Sequence, residues 1–128
     1  MKNLVLLFLI TFSFRAFACS PVDSVYRKDQ TLLKHFFEYA NKKEIAKLPI
    51  NEKVVAIGRY FLETPYVGGT LDINPQEELV VNLREFDCVT FVDNVIALAR
   101  LDKYEEQSIP QFQKNLQEIR YRNGKIVD

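Results

Sequence analysis

The sequence predicts an α+β fold in which helices dominate. Four stretches after residue 30 carry apolar residues at helical spacing, whereas only residues 79–83 and the last few residues resemble strands. Of the 128 residues, 48% are apolar and 27% are charged, which is the composition of an ordinary globular domain and not of a disordered or fibrous chain. No repeat or low-complexity tract divides the chain. We therefore expect one domain with one modest core.

The start of the chain has the pattern of a secretory signal. Lys2 precedes an almost unbroken apolar run over residues 4–14, and Ala16-Phe17-Ala18 provides small residues for cleavage. A membrane-spanning helix is the alternative, but it needs about 20 apolar residues, and Arg15 ends this run early. We expect export to the periplasm or a membrane surface. The expected parts are a signal peptide at 1–18, a tether at 19–30 and an incomplete domain at 31–128.

Cys19 directly follows the expected cleavage position, and three fates are open for it. Acylation of the new terminal thiol would tether the protein to a membrane, although the usual Leu three residues before such a cysteine is Ala16 here. Plain cleavage after Ala18 is the second fate, and a disulfide with Cys88 in an oxidising compartment is the third. The formal net charge is zero and no basic block is present, so nucleic acid is not an expected partner.

Two helices are predicted before residue 65. Apolar residues recur at helical spacing from Thr31 to about Lys47, where Pro49 ends the pattern. Asn51 can cap a second helix, which the Thr64-Pro65 step ends because a residue before proline is pushed out of helical geometry. The glycine pair that follows gives the backbone shapes closed to other residues, which suits close approach.

The second half of the chain is predicted to hold a strand, two helices and a terminal hairpin. Residues 79–83 form the strand, and a fourth helix runs from about Ile109 to Ile119 with Pro110 in its first turn. Residues 121–127 are expected to begin a strand or hairpin around Asn123-Gly124. Asp87 opens the third helix, which ends near Asp102. Its predicted inner stripe is Cys88, Phe91, Val92, Val95 and Ala99.

The Asp87-Cys88 pair is the strongest candidate for chemistry. The unpaired amides and the dipole at the start of a helix favour the negative charge of a thiolate, which is the better nucleophile. Two ordinary alternatives exist. Asp87 can accept the amide of Thr90 and cap the helix. Cys88, on the same stripe as Phe91, can be a small buried packing residue.

Two motifs in order resemble the NlpC-type papain-like cysteine peptidases, in which a Pro-Tyr turn with paired glycines precedes an Asp-Cys dipeptide that opens the central helix. The two motifs are Pro65-Tyr66-Val67-Gly68-Gly69 and Asp87-Cys88-Val89-Thr90-Phe91-Val92. More closely, residues 60–72 and 79–92 resemble the N-acetylmuramoyl-L-alanine amidase-like family within that fold. The likeness extends from about Thr31 to the end of the sequence.

The resemblance implies a fold, a reaction and a set of site residues. The fold would be papain-like, with helices on a small antiparallel sheet, and this chain would carry the helical N-terminal portion. Cys88 would be the nucleophile, Tyr66 would shape the site, Gly68 and Gly69 would form the turn that lets substrate pass, and Asp87 would position the cysteine. The reaction would hydrolyse the amide between N-acetylmuramic acid and L-alanine in peptidoglycan or muropeptides, through a thioester and without a metal or other cofactor.

This sequence lacks the catalytic histidine of the family that it resembles. That histidine follows the cysteine and serves as base and acid, whereas the single histidine here, His35, precedes Cys88 and is expected to be structural or on the surface. Three functions stay open: a cysteine amidase, a non-catalytic remnant that binds the cell wall, and a helical interaction module. Since most of the sheet would be absent, bare helix faces predict self-association.

Overall fold

The computed structural model describes residues 21–126, and the side chains of residues 26–126. Four α-helices form the framework: α1 at Pro21–Lys42, α2 at Ile50–Tyr60, α3 at Cys88–Ala99 and α4 at Ile109–Arg120. Short 3-10 turns lie at Ile45–Lys47, Glu106–Ser108 and Arg122–Gly124. The predicted dominance of helices is confirmed. The expected signal peptide and Cys19 lie outside the described residues.

Helix α1 begins at Pro21, well before the predicted start at Thr31. Residues 21–30 are therefore helical, although the sequence predicted a tether there. One physical reason is Asp29, which is buried against residues 83 and 84, more than fifty positions along the chain. No periodic pattern within 21–30 can reveal a contact at that separation. No helix in the described range is both long and apolar enough to cross a bilayer.

Of the two residues predicted at helix starts, Asn51 and Pro110, only Pro110 has its predicted position. Pro49, and not Asn51, is the N-cap of α2, and Asn51 lies inside the first turn. Pro110 lies in the first turn of α4, as predicted. Helix α3 ends at Ala99, slightly before the predicted end near Asp102. A proline just ahead of a helix has a fixed φ compatible with the N-cap and no N–H to leave unpaired, which explains why it displaces the asparagine.

Neither predicted strand forms within residues 21–126. Residues 79–83 have no partner strand there, and their polar backbone atoms contact side chains instead. The Arg120 guanidinium donates to the Val80 carbonyl, and the Leu83 N–H donates to Asp29. Asn123 and Gly124 take the positive φ values that a tight hairpin turn requires, but they close a 3-10 turn after α4. The only β-type pairing in the described part is an isolated parallel bridge between Tyr66 and Phe86.

The core is an aromatic and aliphatic cluster centred on α1. The ring of Phe36 lies 5.2 Å from that of Tyr60 and 5.5 Å from that of Tyr104, both edge to face. Phe61 continues the cluster to Phe86 at 5.7 Å. Such aromatic pairs contribute about 0.5–1.5 kcal/mol each beyond their buried area. The cluster thus anchors Phe86, two residues before Cys88, to the centre of the molecule.

Candidate active site

The first turn of α3 is closed by a reciprocal cap. The Asp87 carboxylate accepts the backbone N–H of Val89 at 3.0 Å and that of Thr90 at 2.8 Å. In return, the Asp87 N–H donates to the Thr90 hydroxyl oxygen at 2.9 Å. This capping box confirms the predicted capping role of Asp87.

Capping leaves one amide at the start of α3 free. Asp87, Cys88, Val89 and Thr90 supply the first backbone N–H groups, which have no acceptor within the helix. The cap satisfies three of the four, and among the described residues the N–H of Cys88 has no acceptor. A free donor therefore lies on the same residue as the thiol.

Cys88 is a free, exposed cysteine. The alternative that it is a small buried packing residue is wrong, and so is the predicted inner stripe at two positions, because Cys88 and Val92 both face outward. Val95 and Ala99 are buried as predicted. The buried face of α3 begins instead at Thr90 and continues through Asn94, Val95 and Leu98.

The Asp87 carboxylate is held in its ionised form. The N–H of Thr90, and then the Thr90 hydroxyl, donate to it and keep the pKa of Asp87 below its ordinary value. A negative charge at this position also interacts favourably with the positive end of the α3 dipole. The cap is therefore anchored by charge as well as by geometry.

The backbone of Tyr66 is tied to the segment that leads into α3. The Val67 N–H donates to the Phe86 carbonyl at 2.9 Å, and the Phe86 N–H donates to the Pro65 carbonyl at 3.0 Å. These bonds place Tyr66 beside Phe86, two residues before Cys88. The Tyr66 side chain is 75% exposed, so it is available to a ligand.

The two glycines differ in what they require. Gly69 has a φ of +73°, a conformation that other residues rarely adopt. Gly68 has an ordinary φ, and a Cβ placed on either glycine would meet no atom within 4 Å among the described residues. The positive φ of the turn thus explains why residue 69 is a glycine. Gly68 has no such requirement, and the space beside it is open.

A cleft of about 340 Å³ lies beside the first turn of α3. Val89 and Asp93 border it from α3, Leu71 from the end of the glycine turn, Arg120 from the last turn of α4, and Tyr121 from the residue after it. Arg120 is fixed there by Asp93, with Nε 3.2 Å from Oδ2. Burial, together with the bond that its hydroxyl donates to Glu77, raises the pKa of Tyr121 to about 12.

Sequence reasoning missed two polar residues, Asp29 and Asn82, that hold the segment leading to Cys88. Asp29 binds the Leu83 N–H and Arg84, and Asn82 accepts the N–H groups of Arg84 and Glu85. The Asn82 contacts are local and typical of an asparagine turn, so they had a sequence signal. The Asp29 contacts span 54 residues and had none. His35 lies exposed on α1, in agreement with its predicted surface role.

The chain thus presents an exposed cysteine in the first turn of a capped helix. Residues 56–128 match the family described as AmiA-like, N-acetylmuramoyl-L-alanine amidase-like. Because the match covers more than half of the sequence, the chain belongs to that family. No match was found among curated proteins.

Solved structures of an N-acetylmuramoyl-L-alanine amidase are similar to this chain. A structure of an N-acetylmuramoyl-L-alanine amidase from Bacteroides uniformis is 41% identical with a TM-score of 0.56, covering 61% of this chain and 32% of that one. A second structure of the amidase from that organism is 40% identical with a TM-score of 0.53. A putative xylanase from Bacteroides fragilis is 42% identical with a TM-score of 0.52, covering 56% and 31% of the two chains. The chain spans about a third of the length of these structures.

Proposed function

We propose that this chain belongs to an exported cysteine amidase that cleaves the bond between N-acetylmuramic acid and L-alanine in peptidoglycan or muropeptides. The family description and the amidase names of the similar structures support the reaction class. The observation that carries the cysteine mechanism is that Cys88 combines an exposed sulfur with a backbone N–H that has no acceptor among the described residues.

The proposed reaction is acyl transfer in two steps. The Cys88 thiolate attacks the carbonyl carbon of the muramoyl group, the carbon–nitrogen bond breaks, and the alanine nitrogen leaves after taking up a proton. Water then attacks the resulting thioester, returning the thiol and releasing the muramoyl carboxylate. The Cys88 N–H is positioned to donate to the oxygen that becomes negative in each step.

Two exposed features near the start of α3 suit a substrate. The exposed Tyr66 ring lies on the strand-like segment beside Phe86, and we assign it a site-shaping role. Gly68 and Gly69 leave open space next to it. The cleft bordered by Val89 and Leu71 lies on the α3 side. A muropeptide has a sugar and a peptide on the two sides of the scissile amide, so two neighbouring surfaces suit it.

Proton transfer decides between this proposal and its alternative. A cysteine amidase needs a group to accept the thiol proton and to protonate the leaving nitrogen, usually a histidine. The sequence contains only His35, exposed on α1. The second candidate is a non-catalytic wall-binding domain, in which the exposed site binds the substrate without cleaving it.

We extend the proposal to the fold class and to the cellular location of the protein. We assign the chain to the NlpC-type papain-like class, as its helix-dominated N-terminal portion, because the class places an Asp-Cys pair at the start of a helix after a Pro-Tyr turn. We further propose that residues 1–18 direct export and that Cys19 is a candidate for lipid attachment. Both segments lie outside the described residues.

A hydrolysis assay tests the proposal. N-acetylmuramoyl-L-alanyl peptides are incubated with the purified chain, and newly formed N-terminal alanine is quantified. We expect release by the wild type and by Cys19→Ala, and loss of release in Cys88→Ala. Equal release by Cys88→Ala would refute the cysteine mechanism. Binding of the same peptides without release, unchanged in Cys88→Ala, would instead support the wall-binding alternative.

A further inference from the structure

Asp29 lies outside the region matched by the family and yet holds the segment that leads to Cys88. Its side chain is only 3% exposed. A buried carboxylate is costly unless it is paired and hydrogen-bonded. Oδ1 accepts the Leu83 N–H at 2.9 Å, and both oxygens lie within 3.3 Å of Arg84 Nε. The burial of Asp29 is thus compensated by residues close to the candidate nucleophile.

A series of hydrogen bonds and buried contacts joins Asp29 to the cap of α3 through consecutive residues. Asn82 fixes the turn at residues 84 and 85 by accepting both N–H groups, at 3.0 and 3.3 Å. Phe86 follows, buried and hydrogen-bonded on both sides to the Pro65–Val67 segment. Asp87 then caps α3. Residues 82–87 are therefore held by hydrogen bonds or by burial, and Asp29 is the residue of α1 that takes part in these contacts.

We propose that Asp29 is a positioning residue for Cys88, acting through residues 82–86. The inference rests on the proposed role of Cys88 as nucleophile. Loss of the Asp29 carboxylate leaves the Leu83 N–H and the Arg84 guanidinium without their partner, and the turn gains freedom. Phe86 is paired with the segment that contains Tyr66. Movement of the turn therefore shifts Tyr66 relative to Cys88. Small displacements of a nucleophile have large effects on rate.

Asn41 offers a matched control on the same helix. Its side chain donates to the Tyr104 carbonyl at 2.7 Å, so Asn41→Ala also removes a side-chain bond from α1 to a distant backbone atom. Tyr104 lies beyond α3, in a segment that does not lead into Cys88. A purely structural role for Asp29 predicts similar behaviour of the two variants at matched thermal stability.

The experiment compares amide hydrogen exchange and steady-state kinetics of Asp29→Ala, Asp29→Asn and Asn41→Ala. For Asp29→Ala we expect exchange at Val67 and Phe86, relative to the core amide of Leu116, to accelerate about tenfold. We expect kcat for muropeptide hydrolysis to fall about tenfold with KM within about twofold. Asp29→Asn still accepts the Leu83 N–H and should recover most of both losses. Asn41→Ala should match the wild type in both.

Several outcomes overturn the inference. Exchange at Val67 and Phe86 that is no faster in Asp29→Ala than in Asn41→Ala refutes it, as does a failure of Asp29→Asn to recover protection. If Asp29→Ala does not fold, Arg84→Gln removes only the ion pair, and exchange at Phe86 should then rise about threefold above the control. No rise refutes the inference. An inactive wild type would refute the proposed function, while hydrogen exchange would still decide whether Asp29 orders the turn.

Discussion

Asp87 and Thr90 exchange hydrogen bonds across the first turn of α3, each accepting the backbone N–H of the other within 3 Å. The exchange uses the side chains of both residues and leaves the backbone N–H of Cys88, which lies between them, without an acceptor among the described residues. The cap thereby both stabilises the helix and leaves free the donor that the proposed mechanism needs.

Substituting Thr90 tests the cap directly. Thr90→Val keeps the shape of the side chain but removes the oxygen that accepts the Asp87 N–H. We expect a loss of about 1–2 kcal/mol in the free energy of unfolding, measured by urea denaturation. Thr90→Ser retains the hydroxyl and should lose less. An unchanged urea midpoint for Thr90→Val would show that the reciprocal bond contributes nothing.

The charge on Asp87 predicts a dependence of stability on pH. The pKa of Asp87 is lowered in the folded state, first by the Thr90 N–H and then by the Thr90 hydroxyl. This contribution is therefore present above the unfolded pKa of about 3.9 and is lost as pH falls through the lower, folded pKa. Asp87→Asn keeps a capping side chain but cannot titrate.

Melting temperatures of the wild type and Asp87→Asn measure that contribution. We expect the wild type to be the more stable protein at neutral pH, and the difference to shrink as pH falls below about 4. Other carboxylates affect both proteins alike and cancel in the difference. A difference that stays constant down to the acid transition would contradict the charged cap.

Burial of Tyr104 yields a prediction at alkaline pH. Its hydroxyl donates to the Leu98 carbonyl at 3.2 Å, and burial raises its pKa to about 12. The neutral ring thus contributes stability that is complete below the unfolded pKa of about 10 and is lost as pH rises through the folded value.

Tyr104→Phe tests this contribution. It should lower the free energy of unfolding by about 1 kcal/mol at neutral pH because the Leu98 carbonyl loses its donor. It should also remove part of the loss of stability between pH 10 and 12, which urea denaturation at several pH values can follow. Equal alkaline profiles of the wild type and Tyr104→Phe would contradict the buried environment of this hydroxyl.

The outward face of α3 predicts self-association. Val89, Val92 and Ile96 are all exposed there, at 60%, 49% and 36%, and contiguous exposed apolar surface tends to bind other apolar surface. We expect the purified chain to associate in sedimentation velocity as its concentration rises. Val92→Lys should weaken the association. Gln107→Lys, an exposed charge introduced elsewhere, should leave it unchanged. A monomeric wild type that melts cooperatively would contradict the prediction.

Local patterns predicted the helices and the cap well. Apolar spacing located all four helices, and the Asp87-Cys88 order predicted the start of α3, because capping depends on residues within one turn. The same use of local patterns led to the wrong prediction that Cys88 lies on the buried face of α3. Its neighbours Phe91 and Val92 suggested an apolar stripe, but Val92 is exposed and the buried face of α3 begins at Thr90.

Features that depend on distant residues could not be read from the sequence. Residues 79–83 have the composition of a strand, yet a strand exists only where another strand pairs with it, and none does so within residues 21–126. The length of α1 likewise depends on Asp29 meeting Leu83 and Arg84. Residues that meet across long separations leave no periodic signal.

The role of Cys88 is tested most directly by alkylation followed in parallel with hydrolysis. The wild type is treated with iodoacetamide for increasing times, peptide mass spectrometry gives the fraction of Cys88 modified, and the rate of alanine release is measured on the same samples. If Cys88 is the nucleophile, the rate falls in proportion to the unmodified fraction of Cys88, and a muropeptide slows the alkylation. Full alanine release from protein with Cys88 completely alkylated would contradict that role.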